Sequence, residues 1–223
     1  MLCVLSRVVL LSVAVLAIAA PSLAAPAVNA TVAAAPKVRR LDGASVLIVQ
    51  TWKDGAAARL AHDHAILAPT FSGEITYHAA DLTQSRIVVD VDARRLIVDD
   101  DRARAVVGLE PGVPQKDREA VDESMKGSDQ LDVEHFPRIR FESTAVTQGA
   151  DGALLVTGRF SLHGQTRTVQ LPVTVEERAD GSLRGRGTLR LKVSDYGITP
   201  YSAFLGAVKV KDEVRLHLDL IAR

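Results

Sequence analysis

Six histidines, at positions 62, 64, 78, 135, 163 and 217, are the residues best suited to chemistry near neutral pH. The triplet His62-Asp63-His64 is the most suggestive. On a strand, side chains two apart share a face, so His62 and His64 could meet one metal ion or one polar head group. A tight metal site requires a third ligand, for which Asp63, His135 or His163 would be candidates. No HExxH spacing accompanies the pair. The favoured expectation for His62, His64 and His163 is therefore a polar rim, hydrogen-bonded to backbone or to a ligand. His163 ends the run Gly158–Gly164 and also reads as the anchor of a hairpin turn. His217 lies between Leu216 and Leu218 and should face solvent.

Other chemistry finds little support. Ser161 and Ser194 lack the GxSxG elbow that exposes a nucleophile. There is no P-loop and no GxGxxG. Asp99-Asp100-Asp101 lacks the spaced ligands and the glycine of an EF-hand loop, and reads as a solvated turn. A hydrolase or isomerase using Asp63, Asp122 and the histidines as acid and base is conceivable, but no spacing forces it. Cys3 is the only cysteine, so the remainder of the chain has no thiolate site and no disulfide.

The elements that must position these residues are strands. Ile87, Val89, Val91 and Ala93 alternate with polar or outward neighbours, as do Ile139 and Phe141. The same holds for Val169–Val175, Leu189–Val193 and Val214–Leu220. Further strands are read near 46–53, 56–66, 70–78 and 153–162. Short loops rich in Gly and Asp, such as Ala179-Asp180-Gly181-Ser182, favour antiparallel hairpins. Roughly eight to nine strands result, enough to close a barrel. Its inward set would include Val89, Val91, Ile139, Phe141, Phe160, Leu162, Leu171, Val173, Leu189, Leu191, Leu216 and Leu218. These residues either fill the interior or line a cavity suited to an alkyl or isoprenoid chain, and alternation does not separate the two. Residues 99–136 break the pattern, with a helix-compatible stretch over 117–127 that would cap, gate or plug one barrel end.

Composition sets outer limits. The chain is 47% hydrophobic and 24% charged, which is ordinary globular composition. Lys+Arg and Asp+Glu are both 27, and aromatics are 4%, so neither a field nor a stacking surface points to nucleic acid. At the N-terminus, Arg7 precedes the apolar run Val8–Ala20, and Pro21-Ser22-Leu23-Ala24 offers a cleavage site after Ala24. This pattern is expected to be a secretory signal peptide over 1–24, too short for an integral membrane span. Residues 25–40 are rich in Ala and Pro and read as a flexible linker, leaving 41–223 as one domain.

Four segments, taken in order, resemble one family. Asp132-Val133-Glu134-His135-Phe136-Pro137-Arg138-Ile139-Arg140-Phe141-Glu142-Ser143-Thr144 is similar to the DVE-x-(Y/F)-P-x-I-x-F-x-S-T signature of YceI-like proteins. Gly158–Val175 resembles their strand–His-Gly–strand stretch. Ser194-Asp195-Tyr196-Gly197-Ile198 looks like their S-D-(F/Y)-G-(I/L) strand end, and Lys211-Asp212-Glu213-Val214 like the start of their last strand. The matches run over roughly residues 45–221. The resemblance implies an all-β, lipocalin-like antiparallel barrel with a helical insertion, periplasmic or secreted. It further implies that a polyisoprenoid-type lipid or quinone would be bound inside. Two departures stand out. Val121-Asp122-Glu123-Ser124-Met125 stands where many members have R-D-x-H-L, and Ala61-His62-Asp63-His64 stands where many have a single His.

The expectation is an exported protein that sequesters or carries such a lipid, with no cofactor beyond it and no enzymatic step. The alternatives are a metal- or redox-linked protein using His62 and His64, the hydrolase or isomerase above, and a barrel with a filled interior. An exposed edge strand leaves room for a homodimer.

Overall fold

The computed structural model describes residues 37–223. The signal sequence read over 1–24, Cys3 and most of the 25–40 segment lie outside the described residues. Strands β1 (Val38–Arg40), β2 (Val46–Thr51), β3 (Lys53–Asp54), β4 (His64–Leu67), β5 (Phe71–Thr76), β6 (Arg86–Asp92) and β7 (Ile97–Val98) come first. Helices α1 (Asp101–Val106) and α2 (Gln115–Lys126) follow. The chain ends with β8 (Arg138–Gln148), β9 (Leu154–Leu162), β10 (Gln165–Glu177), β11 (Leu183–Lys192), β12 (Ser202–Ala203), β13 (Val208–Val210) and β14 (Glu213–Ala222).

Eleven strands form one antiparallel sheet in the order β1-β5-β6-β8-β9-β10-β11-β14-β2-β4-β7. The sheet curls back on itself. β1 pairs with β5, and Arg40 and Arg223 exchange backbone hydrogen bonds of 2.8 and 2.9 Å beside the Leu41–Ala222 bridge. Eight strands thereby complete a circuit at one end of the barrel, through β1, β5, β6, β8, β9, β10, β11 and β14. β2, β4 and β7 carry the wall onward at the other end. A small second sheet, β12-β13-β3, stands at that second end.

Four local expectations are corrected. The sheet starts at Val38, inside the segment read as linker. There the buried Arg39 donates from Nε to the Gly181 carbonyl at 3.2 Å, an anchor that Ala/Pro composition conceals. The strand expected over 56–66 is only β4. Gly55, at φ 93°, turns the chain, and Ala58–Leu60 form a 3-10 turn before it. Asp99-Asp100-Asp101 is not a solvated turn: Asp99 is fully buried, and Asp100 caps α1 by accepting from the Arg102 and Ala103 N–H groups at 3.0 and 3.2 Å. The helix expected over 117–127 begins two residues earlier, after Pro114. It stops where the Gly127 N–H donates to the Glu123 carbonyl at 3.0 Å.

The strand pattern is period two, so one face of each strand turns inward. Buried Leu189, Leu191, Val214 and Leu216 meet Phe160 and Leu162 across the interior, and Val89 and Val91 meet Leu47 and Leu220. The outward face of β6 and β8 carries Asp90, which pairs with Arg138 at 2.6 Å and with Arg140 at 2.5 Å. Such exposed pairs contribute ~1 kcal/mol at most and chiefly keep the outer face polar.

Candidate functional site

The inward faces enclose a cavity of about 250 Å³. One water needs only ~10–15 Å³ of such space, so this is no packing defect. All twelve residues of the inward set read from alternation lie on its wall: Val89, Val91, Ile139, Phe141, Phe160, Leu162, Leu171, Val173, Leu189, Leu191, Leu216 and Leu218. Leu47, Val49 and Ile66 complete the apolar surface from β2 and β4.

Glycines shape the interior, and this was missed in the sequence. Gly185 and Gly187 continue the inward alternation of Leu183, Leu189 and Leu191 on β11, so that part of the wall carries no side chain. A Cβ on Gly185 would make an ordinary 3.5 Å contact with Val173, whereas one on Gly187 would stand 2.8 Å from the Pro172 carbonyl oxygen. On β9, the Phe141 ring lies over Gly158, where a Cβ would come within 2.4 Å of it. Leucine-rich alternation flanking an in-phase Gly is the sequence trace of this feature.

The two ends differ. At the end nearest β1, Tyr77 and Leu82 pack onto Val146, Leu154 and Val156. At the opposite end, Met125 and Leu131 reach the wall from α2 and the loop after it, so the 99–136 insertion does cover part of the cavity. Of the wall residues, only Tyr201 and Lys211 are solvent-exposed, and Lys211 is the only charged one. They mark the mouth, with Thr51 and Gln130 also on the wall at this end. Gln130 is held by donating from Nε2 to the Thr199 carbonyl at 3.0 Å.

None of the histidines reaches the cavity wall. His62 is exposed and precedes β4, so it shares no strand face with His64. His64 instead donates from Nδ1 to Asp99 Oδ2 at 2.7 Å. Asp99 Oδ1 also accepts from the Ala65 N–H at 3.0 Å and from Arg104 Nη1 at 2.6 Å. Burial pushes the Asp99 carboxyl up, but the donors from His64, Ala65 and Arg104 outweigh it and hold it below the usual carboxylate range. This is a structural node between β4, β7 and α1. Among the described residues, no three His, Cys, Asp or Glu side chains are arranged to hold a metal ion. His217 is half-buried rather than solvent-facing and donates from Nε2 to Gln50 Oε1 at 3.1 Å. Burial, aided by the Arg215 charge, pushes it below its ordinary value of 6.5.

His163 sits in the β9–β10 turn at φ 49°. Its ring meets Phe136 edge-on at 4.7 Å, and its Nδ1 donates to the Tyr196 carbonyl at 3.2 Å. Ser194 in turn bonds Asp212 through its N–H at 2.9 Å and its hydroxyl at 2.7 Å. The four sequence motifs therefore meet at one end of the barrel. Lys211 of the last motif stands at the cavity mouth, whereas His163, Ser194 and Asp212 tie strand ends together.

Comparison with known proteins agrees with this architecture. Residues 60–222 match the model of the YceI-like domain. A UPF0312 protein of Vibrio cholerae is 29% identical over 133 residues, which cover 57% of this chain and 61% of that protein. The match thus spans about three fifths of the length of that relative. Among solved structures, Burkholderia cenocepacia BcnA superposes with a TM-score of 0.63 at 19% identity, covering 82% of this chain and 99% of that one. A polyisoprenoid binding domain from Saccharophagus degradans gives 0.55 at 12% identity, covering 85% and 99%. At those identities the likeness speaks for the fold alone. The family model covers most of the chain, and the chain belongs to the YceI-like domain family.

Proposed function

We propose that this protein is exported and holds a polyisoprenoid-type lipid or quinone in its barrel, binding it without transforming it. The observation that carries this reading is the wall itself. It is almost wholly apolar, runs the length of the barrel, and has one exposed mouth with a single cation, Lys211. Each CH₂ moved from water onto such a wall contributes ~0.8 kcal/mol, so a long unbranched or isoprenoid chain is favoured over a compact polar molecule. Lys211, Tyr201 and Thr51 would meet the polar end of the ligand at the mouth. The polyisoprenoid binding domain of like fold supports the same ligand class, and the signal sequence over 1–24 supports export.

The test is titration with fluorescent isoprenoid alcohols of increasing length. Saturable one-to-one binding that tightens with each added isoprene unit, and competition by a quinone with an isoprenoid tail, are expected. Binding that does not saturate, or does not depend on chain length, would sink the proposal.

A further inference from the structure

Among the described residues, six other than glycine adopt positive φ: Asp99, Asp132, Asp151, His163, Phe204 and Leu205. Asp and His are among the residues that tolerate this region; Phe and Leu are not. Phe204 and Leu205 do so consecutively, at 51° and 55°, at the tip of the β12–β13 hairpin. They are also the most exposed large apolar side chains among the described residues, at 82% and 109%. The Ala207 N–H donates to the Phe204 carbonyl at 3.1 Å, so Leu205 and Gly206 are the centre of a primed turn that requires positive φ, but neither that turn nor the core calls for Phe and Leu at these exposed positions. Leu60, 73% exposed, stands on the neighbouring turn, which is joined to this tip where the Ala57 N–H donates to the Ala207 carbonyl at 2.8 Å.

The tip is fringed by cations. Exposed Arg59 precedes Leu60, and exposed Lys209 and Lys211 follow the tip along β13 and just beyond it. Lys209 folds over the tip: its Nζ lies 3.5 Å from where a Gly206 Cβ would stand. Asp54 is its ladder partner, yet among the described residues none of these three cations is ion-paired. The same hairpin bears the cavity mouth. Tyr201 is three residues, ~10 Å of extended chain, from Phe204.

We infer that the β12–β13 tip docks on an anionic phospholipid surface, with Phe204 and Leu205 inserted and Arg59, Lys209 and Lys211 at the head groups. Side chains inserting ~5–10 Å would bring the Tyr201–Lys211 mouth to the membrane plane. A water-facing hairpin gains nothing from two exposed apolar residues in a costly conformation. A lipid surface rewards both the apolar pair and the cations, which are attracted to anionic lipid. The inference deepens the lipid-holding reading by naming where the ligand is exchanged. Docking itself is measured separately from ligand binding.

The experiment is flotation of the purified protein, in the form the cell leaves it, with phosphatidylcholine vesicles with or without phosphatidylglycerol. The parent should float with the anionic vesicles and much less with the neutral ones. Phe204→Ser/Leu205→Ser should lower the bound fraction at least about tenfold. Arg59→Glu/Lys209→Glu should lower it further in low salt and weaken the salt dependence. Both variants substitute exposed side chains, and thermal melts and isoprenoid titration without vesicles check that fold and cavity are intact. Equal flotation of parent and Ser variant would overturn the inference. So would a parent that ignores vesicles but forms a dimer that the Ser variant dissociates, which would assign the tip to a second copy.

Discussion

Asp99 shows how a residue that reads as solvent-facing becomes a fixed point of the fold. It carries no exposed surface and binds three donors on β4 and α1. Asp99→Ala would leave the Arg104 guanidinium buried without its partner, and should lower unfolding free energy by about 3–5 kcal/mol in urea denaturation. His62→Ala, on an exposed side chain, should change it by less than about 0.5 kcal/mol. Loss of bound metal with the second variant would revive a metal role for this segment. His217 gives a pH prediction. Its pKa is lowered on folding, so its contribution is present above about 6.5 and is lost as pH falls through the folded value. Stability should decline between pH 7 and 5, and His217→Gln should flatten that slope. His135 has the opposite sign. Its hydrogen bond to Asp132 raises it, so its contribution is present below about 6.5 and is lost as pH rises through the folded value, and His135→Asn should remove that loss on the alkaline side.

At the scale of elements, the barrel strands carry the clearest signature because each has one apolar face, and alternation reports that directly. All twelve expected inward side chains lie on the cavity wall for this reason. Short elements escaped. β1 rests on three residues in an Ala/Pro segment, and α1 on a single Asp100 cap in what looked like an acid run. The polar rim escaped too. Thr51, Gln130, Tyr201 and Lys211 come from strand ends and irregular loops, where no periodicity marks direction. The histidines drew attention by residue type, yet His64, His163 and His217 serve ties between elements of the fold. The glycines of β11 are the element-scale lever. Gly185→Leu extends into free space past Val173 and should leave the melting temperature nearly unchanged while weakening isoprenoid binding at least about tenfold. Gly158→Ala, whose Cβ would collide with Phe141 and the Glu142 carbonyl, should instead destabilise by about 1–3 kcal/mol. A Gly185→Leu variant that binds as tightly as the parent would contradict the cavity as the ligand site.

At the scale of the molecule, the parts fit one task. Tyr77 and Leu82 pack onto the wall residues Val146, Leu154 and Val156 at one end, and the exposed wall residues Tyr201 and Lys211 stand beside an apolar, cation-fringed tip at the other. Helix α2 and its loop reach the cavity wall through Met125 and Leu131. The proposed export adds a prediction of its own: the mature chain should begin at Ala25, read by intact mass after periplasmic extraction. The same sample carries the decisive measurement, native mass spectrometry of the protein as it leaves the cell, with the bound species extracted and identified. The account predicts a one-to-one complex with an isoprenoid lipid or isoprenoid quinone, lost from the Gly185→Leu variant. A bare protein mass from lipid-replete cells, or a mass raised only by a metal ion, would contradict it.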